Sequence, residues 1–138
     1  MCHVSCIMYH VSSVMTKMDQ TTYFGYKKLL VWQEAHTLTL LIYKITKHFP
    51  KDELFGLTNQ MRRAAVSVTA NIVEGQARAT KKEFHQFLFM SNGSLVEVEY
   101  YIELSKDLGY ISEKEFTDLY QQRIKVGKLL HRLIKSLS

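Results

Sequence analysis

The side chains of this sequence that could do chemistry are cations spaced as one face of a helix. Gln121, Lys125, Lys128, Arg132 and Lys135 step by 4, 3, 4 and 3, so in an α-helix they share a single stripe. From residue 119 to 138 the five charged side chains are all Lys or Arg, whereas an exposed helix normally interleaves Glu among them. A one-signed row can hold nucleic-acid phosphates, contacts that need cations and carry no sequence information. The plainer alternative is a solvated face. A second cluster, Arg78, Lys81 and Lys82, sits at the loop where the second predicted helix gives way to the third. The nucleic-acid-binding candidates are therefore Lys125, Lys128, Arg132, Lys135, Arg78, Lys81 and Lys82.

A polar series precedes them. Gln60, Arg63, Ser67, Asn71, Glu74 and Arg78 are spaced 3, 4, 4, 3 and 4, flanked by small apolar residues. It reads either as a hydrogen-bonded structural seam that fixes helix register or a subunit contact, or as a groove for a ligand or polyanion. The seam is preferred, because Asn71 and Glu74 would satisfy buried donors and Arg63 or Arg78 would pair Glu74. Glu97, Glu99, Glu103 and Asp107 are the acidic counterweight. They form a solvated face or the complement of the last helix's cations in a neighbouring subunit.

No catalytic constellation and no cofactor site is found. No Glu has a His three residues later, as a di-iron bundle requires. There is no His-Glu-x-x-His, glycine-rich phosphate loop or Gly-x-Ser-x-Gly elbow. Cys2, His3, Cys6 and His10 match no standard structural zinc spacing, and the other histidines are scattered, so no metal is expected.

The elements that must carry these residues read as helices. With 138 residues, 46% of them hydrophobic and 22% charged, the chain suffices for one domain with its own core. One proline and six glycines favour a few long helices over many short strands. The net charge of +5 is unevenly placed: +3 over residues 1–50, +3 over 51–82, −6 over 83–118 and +5 over 119–138. Both cysteines, Cys2 and Cys6, lie at the N-terminus, so the fold needs no disulfide, which suits the reducing cytoplasm. No run reaches the ~18 apolar residues of a membrane span. Residues 1–22 show no period; Met15 and Met18 could each be internal starts, and a disordered tail or over-extended frame is expected there.

The domain is then 23–138. A first helix spans about 28–48 on the seam Val31, Ala35, Leu38, Ile42, Ile45 and Phe49, stopped by Pro50. A second spans about 57–77 on Leu57, Met61, Ala64, Val68, Ile72 and Gly75. A third begins at Thr80, with Glu83 in capping-box position. Its seam is expected at 84, 87, 91, 94, 98, 101, 105 and 108, with a close helix approach around Ser91, Gly93 and Ser94. Gly109 ends it. Ser112 and Glu115 cap a fourth on Phe116, Leu119, Val126, Leu130, Leu133 and Leu137, interrupted by Arg123. The expected fold is all-α: an antiparallel up-down-up-down four-helix bundle.

Phe49-Pro50, Phe55-Gly56-Leu57, Gln60, Arg62-Arg63-Ala64-Ala65-Val66-Ser67, Asn71-Ile72, Glu74-Gly75, Arg78, Glu83-Phe84, Gly93-Ser94 and Glu97 stand in the order of a bacterial family. The chain resembles the four-helix-bundle proteins encoded in intervening sequences of large-subunit (23S) ribosomal RNA genes. That family is similar to the accessory variability protein of diversity-generating retroelements. The resemblance covers about residues 24–137 and implies a cyclic homopentamer with a basic exterior and no known catalysis. The retroelement relative acts with a reverse transcriptase and binds nucleic acid. Thr69 and Val73 replace residues often Pro or Ser and Ala, and Phe89-Met90-Ser91 is bulkier than the usual approach to Gly93, which could alter packing or subunit contacts.

The sequence thus points to a non-enzymatic, oligomeric, cytoplasmic accessory protein that binds RNA or DNA backbone through basic surface residues. The alternative is a protein-interaction scaffold without nucleic-acid binding.

Overall fold

The computed structural model describes residues 25–138. The tail expected over 1–22 and the discounted Cys2, His3, Cys6 and His10 group lie outside the described residues. A 3-10 turn, Gly25–Lys28, leads into α1 (Leu30–Thr46). A second 3-10 turn, Lys51–Glu53, precedes α2 (Leu57–Gln76), followed by α3 (Lys81–Asp107) and α4 (Glu113–Ser136). Each helix packs on the two beside it in a ring, α1 on α2 and α4, α3 on α2 and α4.

Cross-helix contacts fix the directions. Early α3 meets late α2 at Gly75 with Phe84 and Phe87, and late α3 meets early α2 at Ser105 with Met61. Thr39 Oγ1 of α1 donates to Ala65 O of α2 (3.2 Å), while Arg62 Nε donates to Thr46 Oγ1 (2.9 Å). Lys106 of late α3 lies over the Phe116 ring of early α4, and His85 of early α3 is 3.3 Å from Ser138 beyond α4. Glu34 of α1 meets Gln122 of α4, and Leu30 and Arg132 line one shallow cavity. Neighbours run antiparallel, up-down-up-down.

Local chemistry sets the ends. Ser112 and Glu115 form a reciprocal capping box, and Thr80 Oγ1 accepts from Glu83 N at 3.1 Å. The start of α2, at Gly56, has no side chain of its own to cap it; the Glu53 carboxylate accepts from Leu57 N instead (2.9 Å). Gly109 takes φ +76°. There Tyr110 N donates to Ser105 O and Gly109 N to Lys106 O, the paired bonds of a Schellman stop that a side chain would strain. α1 ends at Thr46, before the turn into Pro50.

The expected seams of α1 and α2 are buried at every position. The α3 seam differs. Its buried residues are Leu88, Ser91, Leu95, Val98, Ile102 and Ser105. Positions 91, 98 and 105 agree with the expectation, whereas 87, 94 and 101 each fall one residue early and Leu108 is exposed. A 3,4 ladder through Ser91 can continue on either side. Leu88, Leu95 and Ile102 are wholly apolar and fully buried, whereas Ser94 and Tyr101 carry hydroxyls and Phe87 and Ser94 lie toward α2. On α4, Leu119, Val126 and Leu130 are fully buried.

The close approach also lies elsewhere than at Gly93, beside which a Cβ would meet nothing within 4 Å among the described residues. It lies at Gly75, where a Cβ would come within 2.6 Å of Phe87 Cβ and 2.9 Å of Phe84 Cδ2. Ser91 continues it, its hydroxyl donating to the Val68 carbonyl across the interface (2.8 Å). Phe89 and Met90 point outward, so their bulk leaves this packing untouched.

Candidate nucleic-acid interface

The antiparallel order gathers the start of α1, the end of α2, the start of α3 and the end of α4 at one end of the bundle. Arg78, Lys81 and Lys82 therefore share that end with Arg132 and Lys135, and Lys28 stands there too, just ahead of α1. All of these, with Lys125 and Lys128 lower on α4, are exposed. Two clusters separate in sequence form one basic end, which only the tertiary fold could reveal. Lys81 and Lys82 also occupy the first turn of α3, whose free N–H groups add positive potential.

The candidates are not equivalent. Lys28, Lys81, Lys82, Lys128, Arg132 and Lys135 form no ion pair among the described residues. Lys125 does: its Nζ lies 3.2 Å from Glu34 Oε1 of α1. From residue 119 onward α4 holds no carboxylate, but the neighbouring helix supplies one. Glu34 also accepts from Gln122 Nε2 at 2.7 Å. That bond, then Lys125, holds its carboxyl below the usual range. Arg78 is committed as well, donating to Glu74 Oε1 at 2.8 Å and lying 4.7 Å from the Phe87 ring centroid.

The polar series of α2 divides in two. Ser67 and Asn71 are half-buried and hydrogen-bonded: Asn71 Nδ2 donates to Ser67 O (2.8 Å) and Oγ (3.1 Å), and Ser94 Oγ of α3 donates to Ser67 Oγ (2.9 Å). This part is a structural seam between α2 and α3. Gln60 and Arg63 are exposed, and with Ala64, Ser67, Ser94 and Glu97 they line a cleft of about 220 Å³. Arg63 makes no ion pair among the described residues; Arg78 alone takes Glu74. Glu97 accepts the Tyr101 hydroxyl proton at 2.6 Å, and that bond, with burial, pushes the phenol pKa up to about 12.

The acidic face of α3 is partly spent inside the chain. Arg123, the break in the α4 core stripe, is half-buried and lies 2.6 Å from Glu99 Oε2 through Nε. That enclosed nitrogen is close enough for an ion pair but not aligned for a hydrogen bond. Glu103 and Asp107 remain exposed.

Sequence reasoning passed over an aromatic group beside the basic end. Trp32 and His36 of α1 stack with ring centroids 5.0 Å apart and planes 8° apart. Tyr26 meets Trp32 at 5.1 Å and 66°. With Thr69, Ala70, Val73 and Glu74 they line a cavity of about 310 Å³ between α1 and α2. Thr69 and Val73, the two departures from the family pattern, thus fall on the α1 side rather than in the α2–α3 seam. The i, i+4 spacing of Trp32 and His36 was the available signal. Among the described residues no helix is long and apolar enough to cross a membrane, and no group of His, Cys, Asp and Glu could hold a metal ion.

Comparison with known proteins agrees with this architecture. The family model of the 23S rRNA-intervening sequence protein matches residues 27–132. No curated protein matches the chain. The fold is similar to the crystal structure of a protein of unknown function from the S23 ribosomal protein family of Bacteroides thetaiotaomicron. The TM-score is 0.71 at 23% identity, covering 77% of this chain and 96% of that one.

Proposed function

The chain belongs to the 23S rRNA-intervening sequence protein family, and from that premise we infer that it is a non-enzymatic, oligomeric accessory protein that binds the backbone of RNA or DNA. The observation that carries the reading is the convergence of Lys81, Lys82, Lys128, Arg132 and Lys135 on one end of the bundle, exposed and without carboxylate partners among the described residues. Cations that the fold leaves unneutralised keep their full attraction for phosphate, and binding releases counterions from the nucleic acid. Such binding is salt-sensitive and tolerant of sequence. The S23 ribosomal family name of the Bacteroides protein is in keeping with an RNA setting.

Replacing Lys125, Lys128, Arg132 and Lys135 with Gln should weaken binding of a labelled oligonucleotide in an anisotropy titration while leaving helicity intact. Most of the loss should come from Lys128, Arg132 and Lys135, since Lys125 is already paired. Unchanged affinity would remove the surface from consideration.

A second reading, a protein-interaction scaffold, is favoured by exposed apolar side chains. Phe55 is 90% exposed, and Phe89, Val96 and Tyr100 lie along the outer side of α3 at 54%, 53% and 61%. An apolar helix face of that kind suits self-association, and a homopentamer is the assembly proposed; the mass of the native particle tests it. A protein partner retained without nucleic acid after a high-salt wash would favour the scaffold.

A further inference from the structure

We propose that the aromatic cavity between α1 and α2 is a nucleobase pocket, in which a base of a single-stranded polynucleotide extends the Trp32–His36 stack while its flanking phosphates lie on the basic end. This rests on the backbone-binding reading above and adds a second kind of contact to it.

Three observations carry it. The rings keep surface open to a ligand: His36 is exposed, and Tyr26 and Trp32 are half-buried, Trp32 with one side against the core. The cavity they line, about 310 Å³, is at the lower end of small-ligand sites. The stack already has the parallel geometry a base adopts on an aromatic platform, with planes 8° apart, and such stacking accepts any base because every base has a π-face.

The charge around the cavity also suits a nucleotide. Lys28 follows Tyr26 by two residues, and Arg78 is one turn beyond Glu74. Glu74 lines the cavity, and Arg78 holds its Oε1, leaving Oε2 without a partner among the described residues. A carboxylate oxygen accepts from the exocyclic amine of adenine, cytosine or guanine. Uracil and thymine have no such amine. The pocket therefore favours amino-bearing bases.

Trp32 is the only tryptophan in the chain, so its fluorescence reports on this pocket alone. The test titrates the full chain with oligoadenylate in ribo and deoxyribo form, oligouridylate, and an abasic oligomer of equal length, reading anisotropy and tryptophan emission together. Quenching by oligoadenylate in either sugar form, weaker quenching by oligouridylate and none by the abasic oligomer is the expected result. His36→Ala should weaken oligoadenylate binding about tenfold and leave abasic binding unchanged. His36 is exposed, so this variant spares the core that Trp32→Leu would disturb. Glu74→Gln should narrow the preference for adenine over uracil.

Binding by anisotropy without quenching would overturn the base pocket while leaving backbone binding in place. Absence of binding to every oligomer would overturn both. A change in native mass on His36→Ala, with base binding unaltered, would make the cavity a contact between copies and overturn the proposal.

Discussion

The α2–α3 seam and the basic end are both built from polar side chains on neighbouring helices, yet they differ in what closes them. In the seam each hydroxyl or amide finds its partner within the chain: Ser91 on Val68 O, Ser94 on Ser67, Asn71 on Ser67. Small residues let the backbones approach until these bonds form, and Gly75 leaves no room for more than hydrogen. At the basic end, the cations of α3 and α4 project into solvent, and of the binding candidates only Arg78 there and Lys125 lower on α4 have a carboxylate partner among the described residues. A satisfied polar group contributes to stability and has nothing left for a partner. An unsatisfied, solvated one contributes little to stability and stays available. Substitutions should therefore separate the two regions: the seam through stability, the end through binding.

The largest stability effect is expected from Gly75→Val. Its side chain would collide with Phe84 and Phe87, and overpacking of this kind costs about 3 kcal/mol, read as a shift in the urea midpoint. Ser91→Ala comes next: it leaves the buried Val68 carbonyl without the cross-helix donor, and should cost about 1 kcal/mol. Losing Ser91 without destabilisation would mean the α2–α3 approach is set by apolar packing alone.

Glu34 sharpens the contrast at the boundary of the basic stripe. Its carboxyl is held below the usual range, chiefly by the Gln122 bond and then by Lys125. A group whose folded pKa is depressed stabilises above its unfolded value of about 4.3 and loses that contribution as pH falls through the folded value. Glu34→Gln should therefore flatten the loss of stability on acidification, measured by urea unfolding from neutral pH downward. An acid profile identical to the wild type would show the ion pair to be without energetic weight. Smallest of all, Lys128→Gln, Arg132→Gln and Lys135→Gln should each change stability by no more than about 0.5 kcal/mol.

The same contrast explains what the sequence made legible. The seams of α1 and α2, both Ser/Thr caps and the left-handed Gly109 follow from spacing and local chemistry, which act within a few residues. The register of α3 did not, because Ser91, Val98 and Ser105 fit two ladders and only the neighbouring helices choose between them. Gly93 and Gly75 look alike in sequence; which one faces a neighbour is a tertiary fact. The Lys125–Glu34 and Arg123–Glu99 pairs join distant helices, so the stripe seemed barer of partners than it is. The basic end itself was visible only as two unrelated clusters until the antiparallel order brought them together.

Position, rather than net charge, is the central claim about binding, and one comparison tests it most directly. The salt dependence of oligonucleotide affinity should be measured for the wild type and for two triple variants of equal charge change. One is Lys128→Gln, Arg132→Gln, Lys135→Gln at the basic end. The other is Lys44→Gln, Lys47→Gln, Lys51→Gln at the opposite end, where all three lysines are exposed. The first should weaken binding and reduce the log–log salt slope by about 0.7–0.9 for each phosphate no longer neutralised, while the second should leave both near the wild type. Equal weakening by the two variants would contradict a localised interface.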